Sequence, residues 1–149
     1  MWQRCTTLDR IGIPTFDGNN VRPILAILAA TVWISINEFV RNQVVLMDHW
    51  TDHYAAFGLA FPSDPVNGAV WGLWALGLSV AIHFLARRCG VMETAIITWS
   101  MGFVLMWLVI GNMGVLPLSI LPIAVPWSMV EVLGAVFIVV KLREGRSSN

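Results

Sequence analysis

Charge is what this chain has least of. Only 12% of its 149 residues are Asp, Glu, Lys or Arg while 57% are hydrophobic, against about 25% and about 45–50% in soluble domains. Lys+Arg and Asp+Glu balance at nine each, so no basic surplus exists to neutralise phosphates, and nucleic acid is excluded as a partner. Two cysteines are too few for a disulfide scaffold. Cys5 and Cys89 are also too far apart in sequence for a C-x-x-C pair. A phosphate-binding loop, a dinucleotide-binding glycine pattern and a nucleophile elbow are all missing, and no catalytic set stands out. What is present in excess is apolar length, with eight Trp beside a single Tyr. The composition excludes a disordered chain and an ordinary water-soluble enzyme, and leaves a polytopic membrane protein.

A helix that crosses ~30 Å of hydrocarbon at 1.5 Å per residue needs roughly 20 mostly apolar residues. Four stretches qualify: Pro23–Val40, Val66–Ala86, Thr94–Met113 and Ser119–Val140. The expected architecture is an all-α integral membrane protein, a single domain forming a four-transmembrane-helix bundle. Asp64-Pro65 offers an N-cap carboxylate before proline at the first helical position. Pro122 and Pro126 predict a fourth span that is kinked or begins only at Pro126, with Leu116–Val125 re-entrant or interfacial. The first span lacks an A-x-A-like cleavage site and reads as retained rather than as a signal peptide.

The cations set an expected orientation. Arg4, Arg10, Arg22, Arg87, Arg88, Lys141, Arg143 and Arg146 fall on one side if both termini share it, and Arg41 alone falls on the other. The positive-inside rule then puts both termini in the cytoplasm of a cell membrane, with the loop at 41–65 outside. Cys5 and Cys89 would lie on the cytoplasmic side, where thiols stay reduced.

Ionisable residues within spans are costly, about 2.5–3.5 kcal/mol for an Asp at the centre on insertion scales. Glu38, His83 and Glu131 are the three to explain. Each lies on a small or polar stripe: Thr31, Ser35, Glu38 and Asn42; Gly68, Gly72, Ala75, Ser79 and His83; Ala124, Ser128, Glu131 and Ala135. Asn112 is the polar residue near the outer end of span three. Counted from the cytoplasmic ends, Glu38 sits ~22 Å up, Glu131 ~15 Å and His83 ~6 Å. Such steps exceed hydrogen-bond reach and are compatible with a water-linked relay; the plainer reading is interhelical hydrogen-bond glue, and an interface to a partner subunit is the third. Arg41, three residues after Glu38, is placed for a same-helix ion pair, or for an anionic headgroup or substrate.

The outer loop repeats Asp-His at Asp48-His49 and Asp52-His53. On a helix both pairs share one face. His49, His53 and Asp52 are then candidate ligands for a divalent metal, the only cofactor suggested, although a solvated interfacial turn anchored by Trp50 and Tyr54 fits as well. Residues 55–61 (AAFGLAF) are too short to span and predict an interfacial piece with Phe57 and Phe61 dipping inward. Trp71, Trp74, Trp99, Trp107 and Trp127 read as packing and interface residues rather than a cofactor box.

Three functions compete on this basis. One is a bundle translocating protons, ions or small solutes along Glu38, Glu131 and His83, with Ser35, Arg41 and Asn112 completing a polar pocket. The second is a non-catalytic subunit or assembly factor of a larger complex. The third is a membrane-embedded enzyme acting on a lipidic substrate from an outward acid/base pocket. Four spans enclose little volume, so the expected partners are the bilayer and either a second copy or a membrane partner subunit.

Overall fold

The computed structural model describes residues 21–144, and every described element is helical. Arg4, Cys5, Arg10 and Arg146 lie outside the described residues. Helix α1 (Val21–Val40) runs on through a π-helical turn (Arg41–Val45) into the short helix α2 (Met47–Ala56). Helix α3 (Pro65–Leu85) follows. Helices α4 (Val91–Trp99) and α5 (Leu105–Asn112) form one rod interrupted by a second π-helical turn (Ser100–Val104). A 3-10 turn (Leu118–Ile120) leads into α6 (Leu121–Glu144). Four helical segments are long and apolar enough to cross a membrane: Val21–Val45, Pro65–Leu85, Val91–Asn112 and Leu118–Arg143.

Burial runs the way a lipid solvent dictates. Leu73, Met101, Leu108 and Val130 are each more than 60% exposed, a surface whose contact with water is unfavourable by ~25 cal/mol per Å². The interior is lined instead by small and branched residues: Ala26, Ala30 and Ile34 of α1, Ala75 and Ile82 of α3, and Val132, Ala135, Val136 and Val139 of α6. In a lipid solvent, which offers no hydrophobic force between helices, such small residues would let the backbones approach closely and pack. Helix α1 packs on α6 and α3, and α4 packs on α6. At one crossing glycine is required: a Cβ on Gly134 would stand 2.7–2.8 Å from the Trp33 indole.

Four local expectations need correction. Helix α6 begins at Leu121 and runs through Pro126, so the fourth span does not begin there; only one N–H is lost at the proline, and α6 packs against α1 and α4. Asp64 occupies the N-cap of α3, but its carboxylate makes no capping hydrogen bond. The Asn67 N–H donates instead to the Asp64 backbone carbonyl at 2.9 Å. Phe57 is 63% exposed rather than turned inward, whereas Phe61 stacks on Trp50 at 5.8 Å between ring centroids. Cys89 is disulfide-bonded, which also corrects the reduced thiol expected at that position.

Candidate functional site: a buried Glu–Arg–Glu cluster between two π turns

Arg41 is the centre of the molecule's polar chemistry. It opens the first π turn, where the Leu46 N–H donates to the Arg41 carbonyl at 2.9 Å, the five-residue step that defines such a turn. The extra residue re-aims the side chains that follow α1, and π turns of this kind gather at functional sites. Instead of facing an outer aqueous surface, Arg41 is only 3% exposed. Its Nη1 donates to Glu131 Oε2 at 2.8 Å, and its Nη2 donates to Glu38 Oε1. The guanidinium carbon lies 5.3 Å from the ring centroid of Phe103. Phe103 belongs to the second π turn, so the two interrupted rods meet at this one cation.

The expected separation of Glu38 and Glu131 is therefore overturned. Depth counting treats carboxyls as points on straight rods, whereas the long Arg41 side chain reaches from the end of α1 to α6 and joins them. The same-helix pair with Glu38 is present, extended to a second carboxylate 90 residues away.

The cluster continues toward α2. Asn42 Nδ2 donates to Glu38 Oε2 at 2.9 Å, and Trp50 Nε1 donates to Asn42 Oδ1 at 3.0 Å. Trp50 is held by Phe61 and edge-on by Tyr54. The backbone behind Glu131 is held too, since Trp33 Nε1 donates to the Glu131 carbonyl at 2.9 Å. Trp127 and Trp99 donate across helices to Asn37 Oδ1 (3.2 Å) and Ser128 Oγ (2.9 Å). Phe103, Trp33 and Trp50 are members that sequence reasoning did not assign to the site, whereas Asn42 already stood on the Glu38 stripe. A tryptophan spaced from a polar residue carries no signal until the helices are packed.

One atom is left out. Glu131 Oε1 is buried and has no hydrogen-bond partner among the described residues. Two carboxylates also face one guanidinium. With both ionised the cluster carries one negative charge, which a single proton or monovalent cation would neutralise.

The other expected site residues are placed elsewhere. Ser35 is half-buried one turn before Glu38 and makes no bond to the cluster. Asn112 is exposed at the end of α5. His83 is buried low on α3, with Nδ1 unpartnered and no hydrogen bond to either glutamate. In α2, Asp48, His49, Asp52 and His53 line one groove of about 420 Å³ with Pro117, Leu118 and Ser119. His53 Nε2 is hydrogen-bonded at 2.8 Å to the carbonyl of Gly114, whose φ of +72° is a conformation glycine tolerates. Among the described residues no three His, Cys, Asp or Glu side chains are grouped to hold a metal ion, so His49, Asp52 and His53 share a groove without forming a three-ligand set. Comparison with protein-family models, curated proteins and solved structures finds no match to this chain.

Proposed function

We propose that this protein is a four-helix membrane bundle that translocates protons or a small cation, with Glu131 as the residue that takes up and releases the charge. The observation that carries this reading is the environment of Glu131: 0% exposed on a membrane-crossing helix, one oxygen on a guanidinium shared with Glu38, the other unpartnered. A buried cluster kept only for structure gains from satisfying every acceptor. Two carboxylates competing for one cation form instead a pair whose charge balance changes when one proton or ion arrives, and ionisable groups inside a bilayer are associated with such pathways.

The proposal includes an orientation. The cations outside the cluster favour cytoplasmic termini, while the disulfide at Cys89 belongs with an oxidising compartment on that same side; we follow the cations because eight positions carry that argument. A Ser63→Cys variant in intact cells tests it, since a membrane-impermeant maleimide should label residue 63 from outside. Protection until the cells are opened reverses the orientation.

The functional test is flux in proteoliposomes under an imposed gradient. Glu131→Gln keeps the side-chain shape and should abolish translocation while the protein still folds. A Glu131→Gln protein with undiminished flux, or a wild-type protein with none, overturns the reading.

A further inference from the structure

Four buried side-chain atoms lack a hydrogen-bond partner among the described residues: His83 Nδ1, Thr94 Oγ1, Thr98 Oγ1 and Glu131 Oε1. They come from three helices that pack on one another, α3 and α6 each against α4. The Trp74–Phe103 ring contact at 5.3 Å sets the antiparallel register of α3 against the α4–α5 rod, and this register places His83 about level with Thr94. The Trp99–Ser128 hydrogen bond joins α6 to α4 beside Thr98 and one turn from Glu131. His83 and Thr94 therefore lie toward the Arg87 end, and Thr98 lies one turn further in, beside the crossing that carries Glu131.

The two threonines behave unlike three other span hydroxyls. Thr31, Ser79 and Ser128 each donate to a carbonyl one turn back in their own helix, at 2.8–2.9 Å. That bond is always within reach of a helical hydroxyl, and Thr94 and Thr98 do not make it. Their hydroxyls point into the bundle interior at 0% and 2% exposure. His83, at 7%, is the most exposed of the four. It sits one turn before exposed Arg87, at the helix end where Arg143 donates to the Ala86 carbonyl at 2.6 Å.

We infer that His83, Thr94 and Thr98 form the access path by which protons reach Glu131 from the Arg87 end of the bundle, carried by single water molecules held between these four groups. The inference rests on the translocation reading and narrows its substrate to the proton. Water is the partner small enough for an interior of this kind, and it needs two to four polar contacts, which an imidazole nitrogen, two hydroxyls and a carboxylate oxygen supply. A dehydrated Ca²⁺ or Mg²⁺ ion needs six or more oxygen ligands, and among the described residues no three His, Cys, Asp or Glu side chains are grouped to hold a metal ion. Each hop breaks one O–H or N–H bond as the next forms. The last forms O–H on Glu131 Oε1, and the Glu38–Arg41–Glu131 cluster becomes neutral. On the other side the path is closed by paired groups, from Arg41 through Glu38 and Asn42 to Trp50.

The test is proton flux into proteoliposomes with a lumenal pH dye, the membrane potential clamped, for the wild type, Glu131→Gln, Thr94→Val/Thr98→Val and Thr94→Ser/Thr98→Ser. Valine matches threonine in shape and removes both hydroxyls, so flux should fall on the order of tenfold, the equivalent of about one lost hydrogen bond in the path. Serine restores the hydroxyls and should rescue it. Equal flux in the valine and serine variants, whether high or low, overturns the path. Flux lost in Glu131→Gln but intact in the valine variant overturns the path and leaves the translocation reading standing. Flux intact in Glu131→Gln removes both. A sodium or potassium gradient that drives cation entry as fast as protons enter overturns the proton assignment.

Discussion

The buried polar groups of this bundle are handled in two opposite ways. From Glu131 toward α2, nearly every group is engaged: guanidinium on two carboxylates, carboxylate on amide, amide on indole. From Glu131 toward the Arg87 end, one imidazole nitrogen and two hydroxyls are buried without partners among the described residues. Glu131 belongs to both regions, with one oxygen in each. A low dielectric strengthens a satisfied network and penalises an unsatisfied group. The engaged region therefore holds the helices together, and the unengaged region has affinity left for something that enters.

The largest expected effect comes from breaking the engaged region at its cation. Arg41→Met leaves two carboxylates buried against each other, which should destabilise the protein by on the order of 3–5 kcal/mol. Thermal unfolding in detergent would register this as a large drop in midpoint or as failure to recover monodisperse protein. Adding Glu38→Gln and Glu131→Gln removes the stranded charges and should recover much of the loss. An Arg41→Met protein as stable as the parent would mean that the cluster does not hold the bundle together, and the contrast between the two regions would collapse.

Much of the fold and part of the site are legible in the residues alone, and what is not legible there has a physical reason. Apolar length gives the four long helices, and the cost of ionisable groups in lipid singles out Glu38, Glu131 and His83. The three-residue spacing of Glu38 and Arg41 gives their pair. What the residues do not reveal is that Arg41 turns inward. That depends on two π turns, Arg41–Val45 and Ser100–Val104, and the phase shift of a single inserted residue is hard to read in stretches that are apolar on nearly every face. Pro126 misleads for the complementary reason: a local rule predicts a break, and packing on both sides of α6 overrides it. Thr94 and Thr98 align on one face in the sequence, but only packing reveals that their hydroxyls forgo the bond to their own helix.

The helix crossing behind Glu131 is the next place to press. Gly134→Ala puts a methyl group into the Trp33 indole, so the ring must move and its bond to the Glu131 carbonyl is lost. A cost of about 1–3 kcal/mol is expected for this overpacking. Gly77→Ala is the control, because no atom lies within 4 Å of its added Cβ; helix propensity should make it neutral or stabilising by up to about 1 kcal/mol. Equal effects at the two positions would show that the crossing is not tight.

A smaller effect is expected at the α2 end of the engaged region. Trp50→Phe keeps the ring stack on Phe61 and removes the N–H that Asn42 Oδ1 accepts. A double-mutant cycle of Trp50→Phe with Asn42→Ala should give a coupling of about 0.5–1.5 kcal/mol, the net worth of one such bond. Additivity within error would detach α2 from the cluster.

The smallest effect should be at Ser79, whose hydroxyl is fully buried, as those of Thr94 and Thr98 are, but engaged. Ser79 Oγ donates to the Ala75 carbonyl at 2.8 Å, and in a helix that oxygen already accepts the N–H of residue 79. Ser79→Ala thus removes a donor without orphaning an acceptor, and alanine is the better helix former. Its unfolding midpoint should stay within the equivalent of about 0.5 kcal/mol of the parent, with proton flux unaltered. A loss of flux on Ser79→Ala matching that of Thr94→Val/Thr98→Val would mean that any buried hydroxyl of the bundle matters, whether or not it is engaged. The distinction between groups that hold the bundle and groups that remain free to take up a ligand would then have to be given up.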